Sequence, residues 1–463
     1  MKIPLISGPP GMQGKYPVNF YYDPERPNGR PAFVGTPGLI EHCDFGLDSK
    51  GIRGMHPFNN LIYAVCGNTV YTVNKNGNYS DLDTKLMTSS GQVWMANNGV
   101  QLMIVDGKYG YIVTGNTVAR ISDVDFRTPS GLAYQDTYFI IANKNTDSFY
   151  ISESYDGTTW DLLETTAAEG NPDITVSIIS DHRELFAFGE KTTEVYYNSG
   201  DATFTFERVD GRFIEKGCGA AKSPAKIDNS VYWLSDKDQV LRIAVAPEVM
   251  STRHMESEIA GYSEISDAIG FAMVYEGQAQ YWLTFPTEDV TWVYDIATKL
   301  WHKRSSGLDG GRHRANCYAF FDRKHFVGDW EESKIYYLSS STYTDNTEPI
   351  KRVYTFPSID SSKIVEGLDG HKVYHKRIQF DFKMGVGITA GQGVDPKVML
   401  RWSDDDERTW SNEKWLTMGK IGEYGRSCIR RRLGRAYRRT YQIMITDPVE
   451  CELAAAFLEA EIG

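Results

Sequence analysis

The feature that most constrains this chain is a short pattern that keeps returning: an apolar run, a turn of Gly, Asn or Asp, then a second apolar run. Leu61 to Val65, Gly67-Asn68 and Thr69 to Val73 make one copy. Val100 to Val105, Asp106 to Gly110 and Tyr111 to Val113 make the next. Others fall at Tyr138 to Ile151, Leu185 to Tyr197, Val231 to Ile243, Ala279 to Tyr294 and His325 to Leu338. Turn residues that tolerate positive φ, set between such runs, read as β-hairpins. The copies begin roughly 35–50 residues apart, the period of a four-stranded sheet. One such sheet buries too little surface alone, so neighbours stack, and closing the ring hides most strand edges. The expectation is an all-β fold with a β-propeller of six or seven blades over residues 45–345. Two stacked sandwiches are the alternative arrangement of the same hairpins.

Outside the repeats the pattern changes. Residues 1–44 are rich in Pro and Gly, with Tyr16, Phe20, Tyr21 and Tyr22 interspersed. Within it Tyr22 to Pro31 continues neither a helix nor a central strand, and the segment reads as an extended arm that packs its aromatics elsewhere. Beyond the polar segment Thr342 to Pro357, alternating strands are expected at Lys376 to Phe382, Lys397 to Trp402, Tyr437 to Ile445 and Glu452 to Glu459. Residues 346–463 therefore read as a β-sandwich-like domain, completed by the N-terminal arm. Val249 to Ile259 is the best short helix.

The 28 Tyr and 42 Gly suit strands and tight turns and argue against disorder. A net charge of −12 makes the molecule as a whole a poor binder of phosphate backbones. Six cysteines without CxxC spacing read as buried free thiols. The first residues lack the apolar stretch of a secretory signal, and no run of 18 apolar residues occurs, so membrane insertion is not expected.

Candidate chemistry is sparse. Ser154, Asp156 and Trp160, and again Ser403, Asp405 and Trp410, form Asp-box-like turns, in which Asp bonds its own turn and Trp packs beneath. Their expected role is structural. Glycoside hydrolysis needs two carboxylates flanking a bond, and Glu184, Asp236, Asp238 and Asp329 sit in or beside turns without being distinguished. Arg183, Arg242 and Arg352 leave a carboxylate-binding triad formally open, but nothing singles them out. Asp81 and Asp83 lack the rest of a calcium loop. No catalytic centre, cofactor or metal site is expected.

The sharpest local feature is basic. Between Lys420 and Arg439 lie Lys420, Arg426, Arg430, Arg431, Arg432, Arg435, Arg438 and Arg439, opposed only by Glu423. The segment carries +7 inside a chain of −12. Arginine suits bidentate pairing with carboxylate or phosphate, so this run is expected to meet either DNA or the acidic surface of a neighbouring subunit.

Several blocks carry a family likeness. Pro396-Lys397-Val398-Met399-Leu400-Arg401-Trp402-Ser403-Asp404-Asp405 with Thr409-Trp410 is one, and Gly419 to Tyr424 and Arg432 to Arg439 extend it. Tyr21 to Leu39, Asp210 to Gly219 with Val231 to Leu234, and Ile445 to Val449 agree in order and spacing. Together they resemble the tail hub, nozzle or packaged-DNA stabilisation proteins of short-tailed bacteriophages. Glu407 departs from the usual Gly of its turn. The resemblance implies a structural virion protein, made in the host cytoplasm and placed in the tail. It implies a homohexameric ring below the portal and head–tail adaptor, touching fibre, spike or needle proteins, with genomic double-stranded DNA passing through. The rival expectation is a sialidase-like or glycan-binding propeller.

Overall fold

The computed structural model describes residues 2–6, 16–26, 29–167, 173–201, 205–365 and 368–462, without the side chains of Asp83 and residues 161–167. Parts of the expected N-terminal arm, residues 7–15 and 27–28, thus lie outside the described residues. The chain forms two compact units. One comprises residues 41–291 and 313–338, the other residues 1–40, 292–312 and 339–463.

The first unit is the propeller. Its first blade runs from the innermost strand outward as Ile52–Phe58, Leu61–Cys66, Thr69–Val73 and Tyr79–Lys85. The second, third, fourth and fifth repeat this meander, with innermost strands Trp94–Asn97, Pro129–Gln135, Thr175–Asp181 and Ala225–Ile227. The sixth opens with the hairpin of Ile269–Tyr275 and Gln278–Phe285, after which the chain leaves the unit and returns at His313. In the seventh, Ala315–Phe321, Lys324–Asp329 and Lys334–Ser339 are joined on the outside by residues 41–44 of the strand Gly38–Asp44. A segment that precedes the first blade thereby closes the last, and Phe45 N donates to Ser333 O at 3.0 Å to continue the seam.

Seven innermost strands follow one another around the axis. Between the fourth and fifth blades the link is Ser177 Oγ, which donates to Ala221 O at 2.7 Å. The blade count is therefore seven, within the expected six or seven.

Local chemistry explains the repeated hairpins. The turn after the innermost strand holds two residues of positive φ in the first blade (Asn59 and Asn60), the fourth (His182 and Arg183), the fifth (Asp228 and Asn229) and the seventh (Asp322 and Arg323). Paired positive φ is the type I′ geometry whose twist matches antiparallel strands, and Asn and Asp reach it most readily. The apolar residues then pack between blades: Trp233 of the fifth sits with Phe186 and Phe188 of the fourth in one buried cluster. The helix is shorter than expected, Arg253–Ile259, capped by Thr252, because Pro247–Val249 is drawn into the fifth blade as its outer strand.

The second unit is the sandwich. One sheet has the order Phe20–Asp23, Ala32–Gly35, Glu452–Ile462, Val373–Phe382, Cys428–Arg431, with Lys2–Pro4 also pairing on Glu452–Ile462. The other has the order Arg352–Thr355, Arg438–Ile445, Lys397–Ser403, Lys414–Thr417. N-terminal residues complete its core: Leu5, Phe20 and Phe33 lie in one buried cluster with Phe380, Tyr441 and Leu458. Asn19 locks this arrangement, its Nδ2 donating to Ser305 O at 3.0 Å and Lys351 O at 2.9 Å while its Oδ1 accepts from Ser305 N.

Candidate functional site

Part of the basic segment, Cys428–Arg431, forms an edge of the sandwich. Cys428–Arg431 is the edge strand of its sheet, in register with Val373–Phe382 so that Arg431 stands opposite Arg377 and Arg430 opposite Ile378. Arg430, Arg431 and Arg432 are exposed and make no ion pair among the described residues. Arg377, by contrast, is held by Glu459 at 3.0 Å. An exposed edge that carries like charges resists casual strand pairing with another chain.

The other candidate arginines divide by partner. Arg426 pairs with Glu423 at 3.0 Å on an exposed loop, and Arg438 pairs with Asp406 at 3.1 Å. Arg435 Nη1 donates to Tyr374 Oη at 3.1 Å. Arg439 departs from the expected surface role and is only 3% exposed. Its Nε and Nη2 form a fork on Asp404 at 2.6 and 2.7 Å, and its guanidinium lies 5.3 Å from the Trp402 ring. The physical reason is register: Arg439 alternates inward from exposed Arg438 on the same strand, and inside the sandwich only a bidentate carboxylate compensates its charge.

Aromatic and apolar side chains share this unit's surface with the arginines. Trp415, Ile421, Tyr424 and Tyr437 are 65%, 60%, 72% and 60% exposed. Tyr424 rests one face on Gly385, whose φ of 77° and lack of a Cβ leave room for the ring. Trp and Tyr beside Arg is the composition enriched where protein surfaces bind one another. Trp415 was not legible as a surface residue, because a Trp in a strand is ordinarily core.

The Asp-box turns are local devices. Asp156 accepts from Thr158 N at 2.9 Å and Thr159 Oγ1 at 3.1 Å, and Ser154 Oγ donates to Thr137 Oγ1. Burial pushes the Asp156 carboxyl up, but these hydrogen bonds outweigh it and hold the group below its usual range. Trp160 is buried and donates from Nε1 to Gly157 O at 3.0 Å. In the second turn the Thr409 side chain and backbone, with Ser403, hold Asp405 down to about 2. Trp410 is half-buried and faces the Arg401 guanidinium at 4.6 Å. Glu407 adopts φ of 71° where Gly is usual, its N–H donating to Ser403 Oγ at 2.9 Å.

The candidate carboxylates are likewise engaged. Glu184 pairs with Arg212, Asp236 accepts from Gly217 N at 3.1 Å, and fully buried Asp329 pairs with Arg314 at 2.9 Å. Asp238 sits in a turn with φ of 59°. Arg242 pairs with Glu248, Arg183 holds a left-handed turn position, and Arg352 is fully buried in the sandwich. Asp81 pairs with Lys85, while the Asp83 side chain lies outside the described residues.

A seven-bladed propeller and a sandwich, whose candidate carboxylates hold turns and ion pairs, define an all-β structural scaffold. A family model described as bacteriophage P22 Gp10, beta-propeller, matches residues 1–343, and one described as P22 Gp10, beta-sandwich, matches residues 367–461. The chain belongs to the bacteriophage P22 Gp10 family, a family of short-tailed phage tail proteins, and is a structural component of the virion tail. No curated relative matches it. Among solved structures it is similar to virginiamycin B lyase from Staphylococcus aureus, at 12% identity over 65% of this chain and 98% of that one, with a TM-score of 0.45. It is also similar to the Pan2 WD40 domain of Neurospora crassa, at 8% identity over 68% and 98%, with a TM-score of 0.42. The designed Ika8 protein gives 9% identity over 65% and 99%, with a TM-score of 0.42.

Proposed function

We propose that this chain is a tail hub or nozzle subunit that assembles with copies of itself into a ring, a hexamer by family resemblance, below the portal and head–tail adaptor. The ring closes the DNA conduit, lets the genome pass during ejection, and carries fibre, spike or needle proteins. Assembly from the host cytoplasm precedes attachment to the particle. The observation that carries this reading is the set of exposed arginines at 430–432, which make no ion pair among the described residues, in a chain of −12 net charge. An uncompensated cationic rim on an acidic protein is complementary to another copy of the same protein. An acidic bulk around a conduit also keeps DNA phosphates from settling. The rival reading, a carbohydrate-active propeller, rests on Asp-box turns whose carboxylates are occupied within their own loops.

The test is charge reversal at Arg430→Glu with Arg431→Glu. Ring formation, followed by sedimentation and by electron microscopy of particles, is expected to fall at least about tenfold, since misplaced interfacial charge costs more than ~1.4 kcal/mol. The melting temperature stays near wild type, because both residues are exposed. Full rings on particles that retain DNA normally would overturn the interface assignment.

A further inference from the structure

Cys428–Arg431 is the last strand of its sheet, and no strand among the described residues pairs on its outer side. On the inner side, Arg432 N donates to Lys376 O at 3.1 Å. Antiparallel pairing alternates hydrogen-bonded and non-hydrogen-bonded positions. Arg430 and Cys428 therefore also turn their backbone groups inward, to Ile378 and Phe380. Ile429 and Arg431 stand at the alternate positions, with N–H and C=O directed away from the sheet. Neither backbone has another partner among the described residues.

The side chains above this edge form two rows. In one, Lys2 stands opposite Glu459, Glu459 opposite Arg377 and Arg377 opposite Arg431, across four neighbouring strands. The charges run plus, minus, plus, plus. Glu459 is already held by Arg377 at 3.0 Å, so the row ends at the open edge on an arginine without a carboxylate. Non-hydrogen-bonded pairs bring side chains closest, and like charges directly opposite one another are unfavourable. The next row is uncharged: Pro4, Phe457, Gln379 and Ile429. The edge thus presents a half-buried Ile beside an exposed Arg, two residues apart on one face.

We propose that a second copy of this chain adds an extended segment to this edge, placing a carboxylate opposite Arg431. The proposal rests on the ring reading above and gives its contact a form. Backbone hydrogen bonds to Ile429 and Arg431 supply affinity, and the carboxylate that completes the charged row supplies selectivity. A segment with a cation at that position is repelled. The outward groups include carbonyls as well as N–H donors, and DNA phosphates, which only accept, leave those carbonyls unmatched. A copy is the favoured occupant because the acidic chain surrounding this basic segment holds carboxylates in excess. An edge that meets a different surface of the next copy is a heterologous contact, the kind that closes rings.

The test changes the backbone of the full chain without changing its charge. Ile429→Pro removes one outward N–H and keeps the inward bonds of Cys428 and Arg430, a substitution that edge strands tolerate. Ring formation is expected to fall at least about tenfold, the cost of an interface hydrogen bond left unmade. In wild-type rings the amides of Ile429 and Arg431 should exchange hydrogen more slowly than in the free subunit. Normal rings with Ile429→Pro, where Arg430→Glu with Arg431→Glu abolishes them, would overturn strand addition and leave the arginine interface standing. Normal rings with both variants would remove the ring reading and this proposal with it. Should Ile429→Pro fail to fold, exchange in the wild type decides alone: unchanged rates at Ile429 and Arg431 on assembly overturn the proposal. Slowing of those two amides by double-stranded DNA, with no second copy bound, would overturn it as well.

Discussion

The two units of this protein reach a similar all-β end by opposite routes. In the propeller, each of the first five blades is one continuous stretch of chain, so its pairings are short-range, such as Ile62 with Val73 and Ile140 with Ile151. In the sandwich, strands from the two ends of the chain lie side by side: Lys2 pairs with Glu459 and Phe33 with Leu453. Local pairing closes small loops, whereas the sandwich must bring together residues more than 400 positions apart, with the larger entropy of closure that implies. The propeller is thus a set of near-independent repeats held by stacking, and the sandwich is a single unit that every one of its segments must join.

The largest expected effects come from core truncations that separate these two designs. Trp233→Ala removes a fully buried side chain and its hydrogen bond to Gly217 O. Phe20→Ala removes an equally buried side chain that the N-terminal arm contributes to the sandwich core. Each is expected to lose about 3–5 kcal/mol. Hydrogen exchange read peptide by peptide should speed up around the fourth and fifth blades in the first variant. In the second it should speed up in residues 373–382 and 438–462, far along the chain from the mutation. If Phe20→Ala left the C-terminal peptides as protected as before, the arm would be an ornament rather than part of the sandwich.

A smaller effect concerns acid. Burial, and then the Arg439 cation, push His375 in the sandwich down to about 3, below its ordinary 6.5. The folded state therefore binds fewer protons than the unfolded chain between these values. The stabilising contribution is fully present above pH 6.5 and is lost as pH falls toward 3. His302, in the same unit, is also pushed to about 3, whereas the propeller's His56 goes only to about 4. Burial lowers His42 and His325 of the propeller as well, so both units should lose protection on acidification. His375→Gln should flatten the slope of the sandwich peptides by up to about 1.4 kcal/mol per pH unit. Equal slopes in variant and wild type would show that the histidine does not titrate on unfolding. The smallest effect is at the rim: Arg438→Ala breaks an ion pair whose partners are 55% and 64% exposed, and should change stability by less than about 1 kcal/mol. A larger loss in urea titrations would mean that the rim is part of the sandwich's own framework.

Much of the propeller was legible because its clearest signal is local. The hairpins read from the sequence are mostly the second and third strands of each blade, which are buried on both sides; Ile62, Ala64, Val65 and Cys66 are all fully covered. The innermost strands were not legible. Trp94–Asn97 is half-buried throughout, without a run or alternation to mark it. The four C-terminal strands were visible through their alternation, and each is present with somewhat different ends. At the candidate rim, the charge of the basic run was plain, but its division was not. Arg439 and Arg438 are adjacent and chemically identical, yet one is sealed against Asp404 and the other is exposed.

The sequence by itself determined the fold class, the repeated hairpins, the acidic bulk and the basic C-terminal run, because turn dihedrals, strand alternation and formal charge are properties of neighbouring residues. Only the tertiary structure decided that residues 41–44 close the seventh blade, which C-terminal strand the N-terminal strands pair with in the sandwich, and which arginines face outward. Those outcomes depend on contacts between distant segments, where register and burial are set by what packs alongside rather than by what comes next in the chain.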